Sequence, residues 1–220
     1  MTAVGRTLPD VQAREGHGRA IILASASKAR IGLLKDAGLD FTARAAPVDE
    51  RAIEAPLLKA GAGGAAIAAA LADAKALAVS SAVPNALVIG ADQVLDFQGE
   101  HWTKPASIAE ALAQLRRLAG ATHRLISAVA LARGGTIVWR YAEEARLTMR
   151  ALTDAEIDAY LARVGDAALS SVGAYQLEGL GIQLFATIAG DYFAILGLPL
   201  LPLLAALRHE GALSLAHAGS

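Results

Sequence analysis

The chain has 220 residues, of which 55% are hydrophobic and 19% are charged, and its formal net charge at pH 7 is −1. This composition predicts a globular protein with a sizeable core, and it excludes a disordered chain and a strongly basic nucleic-acid-binding surface. The chain has no cysteine, which excludes disulfides, thiolate metal sites and a thiol nucleophile.

The residue pattern predicts one domain over residues 19–212, between a flexible leader at 1–18 and a flexible tail at 213–220. No internal repeat or long linker divides this domain. It opens with a strand at "AIILA", which is followed by a helix over about residues 28–37 that ends at Gly38.

The next third of the chain predicts two strands and a helix between them. "FTARAAPVDE" predicts a strand that leaves towards a loop at Pro47, so we expect Asp49 and Glu50 on that loop. "GAGG" precedes a helix that continues to about Val79. "ALVIGAD" is a short apolar run, typical of a strand buried on both faces, and we expect this strand to stop at Asp92.

The C-terminal half adds a long hairpin to this alternation. Apolar residues at helical spacing predict a helix over residues 107–119, and Gly134-Gly135 predicts the turn of the hairpin. A capping box at "TDAE", a strand at "IQLFATI" and a closing helix from about Leu198 complete the domain. The element order predicts an α/β fold with a mixed sheet rather than a purely parallel one.

Two apolar stretches resemble targeting or membrane segments but are too short for those roles. The run within residues 20–26 is shorter than a signal-peptide core, and prolines interrupt the run at 194–207. We therefore expect a soluble, cytoplasmic protein.

Hydroxyl and basic side chains follow the first strand, at Ser25, Ser27, Lys28 and Arg30. Serine is a preferred helix N-cap, and the local sequence favours this role. The alternative is an anion site, because a helix N-terminus offers unpaired N–H groups and the positive end of the helix dipole. The local sequence leaves both interpretations open.

Three carboxylates are candidates for metal binding or water activation. An acid at the end of a buried strand, as predicted for Asp92, lies where open α/β sheets bind ligands. It could ligate Mg²⁺ or deprotonate a water molecule, or it could simply cap a turn that Gly90 permits. Asp49 and Glu50, taken alone, are more typical of a solvated surface.

Two lysines and a glutamate are further candidates. Lys104 precedes a proline and could contact a phosphate, although a surface lysine gives the same pattern. Lys75, alone on its helix, is more typical of a solvated face. Glu178 lies in a tight turn or in a loop that closes on a ligand. Tyr175 and Trp102 could stack on a base, but core packing is the more frequent role of such side chains.

Several common site patterns are absent from the sequence. It contains no G-x-x-x-x-G-K-[ST] loop, no G-x-G-x-x-G turn and no G-x-S-x-G elbow, and its histidines lack metal-ligand spacing. What remains is a cleft of acids and cations around an anion. Such a cleft suits phosphoryl chemistry with a divalent metal.

The order of these motifs resembles the Maf family of nucleoside triphosphate pyrophosphatases. The resemblance covers residues 21–207, and its segments in order are "ILASASKARIGLLKDAGLDF", "VDE", "ADAKA", "VIGADQVL", "KP", "GATHRLISAVAL" and "GAYQLEGLGIQLFATIAGDYFAILGLPL". It implies an elongated, twisted mixed sheet flanked by helices, with a nucleotide cleft between two lobes. It also implies hydrolysis of a nucleoside triphosphate to the monophosphate and pyrophosphate, with Mg²⁺ or Mn²⁺, by a homodimer. We expect no nucleic-acid or membrane partner.

By position, the resemblance assigns the basic and hydroxyl residues to the substrate. Ser25, Ser27 and Arg30 bind the nucleotide, with Ser25 and Arg30 on its phosphates. Lys75 and Lys104 neutralise the triphosphate, and Lys104 also belongs to the implied catalytic set. The opening motif is thereby implied to be an anion site.

The resemblance assigns the acidic residues to the metal and the base. Glu50 and Asp92 hold the metal and activate water, with Asp92 as the base. Gln93 and Glu178 lie near the nucleotide and resemble the branch of the family linked to 7-methyl-GTP. A glutamate can accept hydrogen bonds from the N1–H and N2–H₂ edge of guanine, which is a physical reason for that preference.

The sequence departs from the family pattern at two basic positions. Ala29 stands where the family usually has an arginine, and Lys28 is the candidate replacement, without the bidentate fork of a guanidinium. Ser171 stands where the family's glycine-rich motif usually has a lysine. Three alternatives stay open: a pyrophosphatase that prefers dTTP or UTP, a related enzyme for deaminated purines that shares the broad architecture, and, because of the missing cations, a non-catalytic nucleotide-binding regulator of cell division.

Overall fold

The computed structural model describes residues 19–214, which form one sheet with helices on both faces. The seven strands are β1 (Ile21–Leu23), β2 (Thr42–Ala43), β3 (Leu87–Phe97), β4 (Glu100–Trp102), β5 (Thr122–Arg133), β6 (Thr136–Met149) and β7 (Phe185–Ala189). The helices are α1 (Lys28–Asp36), α2 (Glu50–Lys59), α3 (Gly64–Ser80), α4 (Ile108–Leu118), α5 (Asp154–Val164), α6 (Tyr192–Ile195) and α7 (Leu200–His209). Short 3₁₀ turns connect α5 to β7.

The sheet is mixed, as the sequence predicts. Its strand order is β2-β1-β3-β5-β6-β7, and β4 pairs with β3 beside this path. β1 pairs in parallel with β2 and β3, whereas the β3–β4, β3–β5, β5–β6 and β6–β7 pairs are antiparallel. Helices lie between the parallel strands, whereas short turns join the antiparallel pairs β3–β4 and β5–β6, and this mixture confirms the α/β class.

The core divides into two lobes along the length of the sheet. In one lobe, Val129 and Leu131 of β5 pack on the side of α1 and α7, while Ala128 and Ala130 pack on the side of α3. In the other lobe, α4, α5 and the 3₁₀ turns cover the opposite end of β3 and β5. A cleft lies between the two lobes, beside the middle of β3.

β3 continues beyond Asp92, so the prediction that the strand stops there is wrong. The parallel neighbour β1 ends at Leu23, opposite Ile89, but β5 pairs with β3 from Val88 to Asp96. This antiparallel ladder keeps the backbone of β3 extended after β1 has ended. Asp92 therefore lies just past the end of the parallel part of the sheet, within a continuous strand.

Glu50 is the first residue of α2, so the prediction that it lies on a loop is wrong. The Asp49 side chain accepts a hydrogen bond from the Ala52 N–H at 3.1 Å and thereby caps the helix. Ile53 and Leu57, one turn apart, half-bury one face of α2 against the core beneath α3. No residue of α2 is fully buried, so this helix is held weakly by apolar packing.

Gly90 permits the close approach of α3 to β3. A Cβ atom at this position would lie 2.2 Å from the carbonyl oxygen of Ala72 and 2.6 Å from the backbone nitrogen of Ala76. Small residues on α3 and a glycine on β3 thus bring the helix backbone against the strand. This contact sets the distance between the side chains that α3 and β3 carry into the cleft.

The hairpin and most helices agree with the sequence, whereas two short elements are not predicted. Gly134 and Gly135 have φ values of +54° and +77°, the left-handed conformation that a tight hairpin turn requires. The capping box at the start of α5 is present. The pattern does not predict β4 and α6, and β7 begins at Phe185 because residues 180–184 form a 3₁₀ turn.

Within residues 19–214, no helix is both long and apolar enough to cross a membrane. The predicted leader at 1–18 lies outside the described residues, as do residues 215–220 of the predicted tail. Leu213, assigned to that tail, packs against the core around α7.

Candidate active site

The cleft between the lobes has a volume of about 1150 Å³ and brings together every site residue that the family resemblance assigns, whereas Asp49 caps α2 instead. These residues come from six separate segments of the chain: Ser25, Ser27, Arg30, Glu50, Lys75, Asp92, Gln93, Lys104 and Glu178. Lys28 also lines the cleft.

The N-terminus of α1 forms one wall, and its serines act as caps within it. The Ser27 Oγ accepts a hydrogen bond from the Arg30 N–H at 3.4 Å, so Ser27 is the N-cap of α1. The Ser25 Oγ, which is buried, accepts from the Ser27 N–H at 3.2 Å. The cap predicted from local sequence is confirmed, and it places both hydroxyls and the helix N-terminus in the cleft wall.

Arg30 is buried at the base of this wall. Its Nε donates to the Gly197 carbonyl at 2.8 Å, and its Nη1 donates to the Ala91 carbonyl at 2.9 Å. Burial lowers the pKa of the Arg30 guanidinium, while the carboxylates of Asp92 and Glu50 raise it. An arginine does not lose its proton at physiological pH, so a fixed positive charge stands beneath the cleft floor.

Lys75 joins the two carboxylates at the centre of the cleft. Its Nζ lies 2.6 Å from Asp92 Oδ1 and 2.7 Å from Glu50 Oε1. The Lys75 and Asp92 side chains are only 12% and 10% exposed, so neither is a solvated surface group. Interpreting Lys75 as a lysine on a solvated face is therefore wrong, because α3 packs so closely on β3 that this lysine reaches the strand.

Lys104 lies at the mouth of the cleft, after β4, and remains accessible to solvent. Desolvation within the cleft lowers the pKa of its ammonium group, and Arg30 and Lys75 lower it further. Glu50 and Asp92 act in the opposite direction. Around Asp92 and Glu50, the cations Arg30, Lys75 and Lys104 give a local excess of positive charge, which favours an anionic ligand at that place.

The two carboxylates could hold a divalent cation together with a ligand. Glu50 and Asp92 both contact the Lys75 Nζ, so their carboxylates lie close together in the cleft beside that ammonium group. Mg²⁺ is commonly held by one or two carboxylates plus phosphate oxygens and water. Among residues 19–214, no group of three or more His, Asp or Glu side chains could hold a metal by itself. The donor set therefore fits a metal that arrives with a phosphorylated ligand.

Gln93 and Glu178 also line the cleft, and they differ in how far other protein groups already engage their polar atoms. The Gln93 Nε2 donates to the Ala194 and Ile195 carbonyls of α6 at 3.1 and 2.9 Å, and to the Ser127 Oγ at 3.0 Å. Its amide nitrogen is therefore engaged within the protein, and the Oε1 is the atom left for a ligand. Glu178 is exposed on the glycine-rich segment.

The segment that carries Glu178 is anchored by two buried aromatic residues. The His123 Nε2 and the Tyr175 Oη lie 2.6 Å apart, and both side chains are buried. Burial lowers the pKa of His123 to about 4 and raises the pKa of Tyr175. Tyr175 and Trp102 pack in the core, which confirms the more frequent role expected for them.

Sequence reasoning missed four ionisable residues that line the same cleft, one of which, Asp166, lies in the 3₁₀ turn after α5. Arg51 and Glu54 belong to α2, and His101 belongs to β4. Glu54 follows Glu50 by one helical turn, so both side chains lie on the same side of α2. This spacing indicates nothing when Glu50 is predicted on a loop. His101 follows an unusual turn with a positive φ at Gln98, which no standard hairpin signal marks.

Comparison with known proteins is consistent with this geometry. The model of the family described as Maf-like protein matches residues 20–210. Over 193 residues the chain is 55% identical to a protein of Rhizobium johnstonii named 7-methyl-GTP pyrophosphatase, with 88% of this chain and 97% of that protein covered. A Brucella abortus protein of the same name is 54% identical, with 86% and 96% covered. A Rhodopseudomonas palustris protein named nucleoside triphosphate pyrophosphatase is 53% identical, with 86% and 93% covered.

Proposed function

Since the chain belongs to the Maf-like protein family, we propose that it hydrolyses a nucleoside triphosphate to the monophosphate and pyrophosphate. The observation that carries the proposal is the ion-pair cluster of Lys75 with Asp92 and Glu50, flanked by Arg30 and Lys104 in one cleft. Relatives that are more than 50% identical to this chain are named as pyrophosphatases of nucleoside triphosphates.

The cations bind and orient the triphosphate. The N-terminus of α1 offers backbone N–H groups and two hydroxyls, and Lys104 offers a solvent-exposed ammonium in the same cleft. Arg30 adds a fixed charge from below. Positioning and charge stabilisation of this kind supply most of the rate enhancement in phosphoryl transfer. Lys28 lies where it can add the charge that the family pattern has at Ala29.

Asp92 is placed to receive a proton from the attacking water. Its carboxylate is nearly buried, and Lys75 fixes the orientation of Oδ1 at 2.6 Å. The second oxygen remains available to accept a proton. A carboxylate that is held by one cation and faces the cleft can act as a general base when the attacking water lies within hydrogen-bond distance of its free oxygen.

Glu50 and Asp92 are also the residues that would hold Mg²⁺ or Mn²⁺ with the substrate phosphates. When bound, such a cation neutralises developing phosphate charge and lowers the pKa of a coordinated water. The closeness of the two carboxylates, both in contact with Lys75, is the support for this part of the proposal.

We expect a preference for 7-methyl-GTP. The exposed Glu178 carboxylate can accept hydrogen bonds from the N1–H and N2–H₂ edge of a guanine base, and the Gln93 Oε1 offers a second acceptor. A methylated, cationic guanine also matches an acidic side chain better than a neutral pyrimidine does. The relatives named for 7-methyl-GTP support the same choice.

A product assay over several nucleotides tests the proposal. Purified protein with Mg²⁺ or Mn²⁺ is incubated with 7-methyl-GTP, GTP, dTTP, UTP, CTP and ITP, and pyrophosphate is scored separately from phosphate. We expect pyrophosphate release with the highest kcat/KM for 7-methyl-GTP. Preference for dTTP or UTP, or for ITP, would assign one of the alternative enzymes. Nucleotide binding without turnover on all six would identify a regulator.

Two further properties belong to the proposal. We expect a homodimer, which sedimentation velocity on the full chain measures directly. We also expect a cytoplasmic location for a nucleotide-hydrolysing enzyme, which fractionation of cells that express the chain measures. A monomer at micromolar concentration would contradict the first expectation.

A further inference from the structure

α2 carries Glu50 into the cleft but has little apolar support of its own. None of its ten residues is fully buried, and only Ile53 and Leu57 pack partly against the core beneath α3. A helix held so weakly opens easily unless polar contacts fix it. The position of Glu50 therefore depends on what else holds α2.

Two polar contacts link α2 to its neighbours. The first is the Glu50–Lys75 ion pair to α3, at 2.7 Å. The second joins Glu54, one turn further along α2, to His101 of β4, with the Glu54 Oε1 3.4 Å from the His101 Nε2. The two side chains are only 14% and 11% exposed, so water screens the contact little.

The β4 side of this contact is rigid. Trp102, next to His101, is buried in the core and packs edge-to-face on Phe97, with ring centroids 5.4 Å apart. The Arg117 guanidinium lies 4.7 Å from the Trp102 ring centroid. Lys104, which lines the cleft, follows Trp102 by two residues. His101 thus stands on a fixed element that also carries a cleft lysine.

His101 has no other partner that explains its burial. Both of its ring nitrogens are buried, and neither makes a hydrogen bond within the described part of the chain. A buried polar ring without a hydrogen bond is costly unless a nearby charge compensates it. The Glu54 carboxylate is the charge at that distance, so the two side chains form an electrostatic contact across the cleft wall.

We propose that Glu54 and His101 are a positioning pair that ties α2 to β4 and thereby holds Glu50 at Lys75 and Asp92. The expected change in kcat rests on the proposed pyrophosphatase function, whereas the expected change in the stability of α2 does not. Neither residue touches the reacting atoms. Their effect passes through Glu50, one helical turn from Glu54.

The kinetic test uses Glu54→Gln, which removes the carboxylate charge and keeps the side-chain size, and His101→Asn, which removes the imidazole ring and keeps a polar side chain. We expect kcat to fall about tenfold in each variant, as for residues that orient active-site ligands, with the KM for nucleotide within twofold of wild type. The double variant should be no slower than either single one, because both remove the same contact. In a Glu50→Gln background, His101→Asn should have no further effect. Arg116→Ala, which removes an exposed ion pair on α4, is the matched control.

Hydrogen exchange of the ligand-free protein gives a readout that does not need activity. We expect the backbone amides of α2 to exchange faster in both variants than in wild type, while those of α4 keep their protection. Unchanged protection of α2, or a His101→Asn effect that persists in the Glu50→Gln background, would overturn the proposal. A protein without hydrolysis but with the α2 exchange change would disprove the function and leave the pair standing.

Discussion

At the level of single residues, the cleft depends on a nearly buried ion pair, Lys75 with Asp92. Removing one partner of such a pair leaves the other charge unpaired in a poorly solvated place. Asp92→Asn keeps an oxygen for Lys75 but cannot accept the proton of water. We expect turnover to fall by about 10²–10⁴-fold, with nucleotide affinity within about tenfold of wild type. Steady-state kinetics and calorimetry measure the two quantities, and unchanged turnover would refute the base assignment.

Lys104 should give the alkaline limb of the pH–rate profile. Its pKa is lowered by desolvation and by the neighbouring Arg30 and Lys75, so it loses its charge at a lower pH than an ordinary lysine. Phosphate binding therefore weakens as the pH rises through that lowered value. We expect kcat/KM to decline on the alkaline side in wild type, and Lys104→Arg to remove the decline because a guanidinium stays charged. A decline of the same midpoint in the variant would assign it to another group.

His123 links stability to pH in the acidic range. Burial lowers its pKa in the folded protein to about 4, whereas the unfolded chain has the ordinary value of 6.5. As the pH falls below 6.5, the unfolded state binds a proton that the folded state does not, so stability is lost until about pH 4. The loss approaches about 3 kcal/mol. Denaturant titrations at several pH values should show a steeper slope in wild type than in His123→Gln, whereas equal slopes would contradict it.

Residue types alone could predict only part of the site. Ser25, Ser27 and Arg30 form a local pattern after a strand, and that pattern survives without knowledge of the fold. Lys75 could not be placed in the same way, because a lone lysine on a helix has no local mark of burial. Its role appears only when α3 packs against β3 and brings it to Asp92. The family resemblance supplied what local physics could not.

At the level of elements, the sequence predicts features that depend on nearby residues better than features that depend on distant ones. The hairpin turn at Gly134-Gly135 and the capped α5 depend on neighbours in sequence and are confirmed. The end of β3 depends on pairing with β5, where Asp96 lies opposite Arg124 from a distant part of the chain, and the predicted end is wrong. α2 was missed because its apolar face is only half-buried and its first residues looked like a solvated loop.

Gly90 gives a prediction at this scale. A Cβ at Gly90 would lie 2.2 Å from the Ala72 carbonyl oxygen, so Gly90→Ala must push α3 away from β3. We expect a loss of about 3 kcal/mol in the free energy of unfolding, together with weaker activity because Lys75 moves from Asp92. Chemical denaturation measures the first effect.

Gly32→Ala is the control for that substitution. Gly32 lies within α1, and no atom would come within 4 Å of a Cβ there. Because alanine favours a helix interior over glycine by about 1 kcal/mol, this variant should be as stable as wild type or more so. A Gly90→Ala protein as stable as the Gly32→Ala protein would show that the close approach of α3 to β3 does not matter.

At the level of the whole molecule, the fold turns scattered residues into one centre. The cleft lies between two lobes built on a single sheet, so strands shared by both lobes fix its floor while α1, α2 and the glycine-rich segment form its walls. The sequence predicts the α/β class and the mixed sheet from the alternation of elements. It does not by itself predict which segments meet, because those contacts join residues far apart in the chain.

One product measurement tests directly whether this cleft releases pyrophosphate. Wild type and Asp92→Asn are incubated with 7-methyl-GTP and Mg²⁺, and pyrophosphate, orthophosphate, monophosphate and diphosphate are quantified from the same reactions by ³¹P NMR. Cleavage at the proposed bond predicts equal amounts of pyrophosphate and 7-methyl-GMP from wild type, and almost none from the variant. Orthophosphate with the nucleoside diphosphate, or equal product from both proteins, would contradict it.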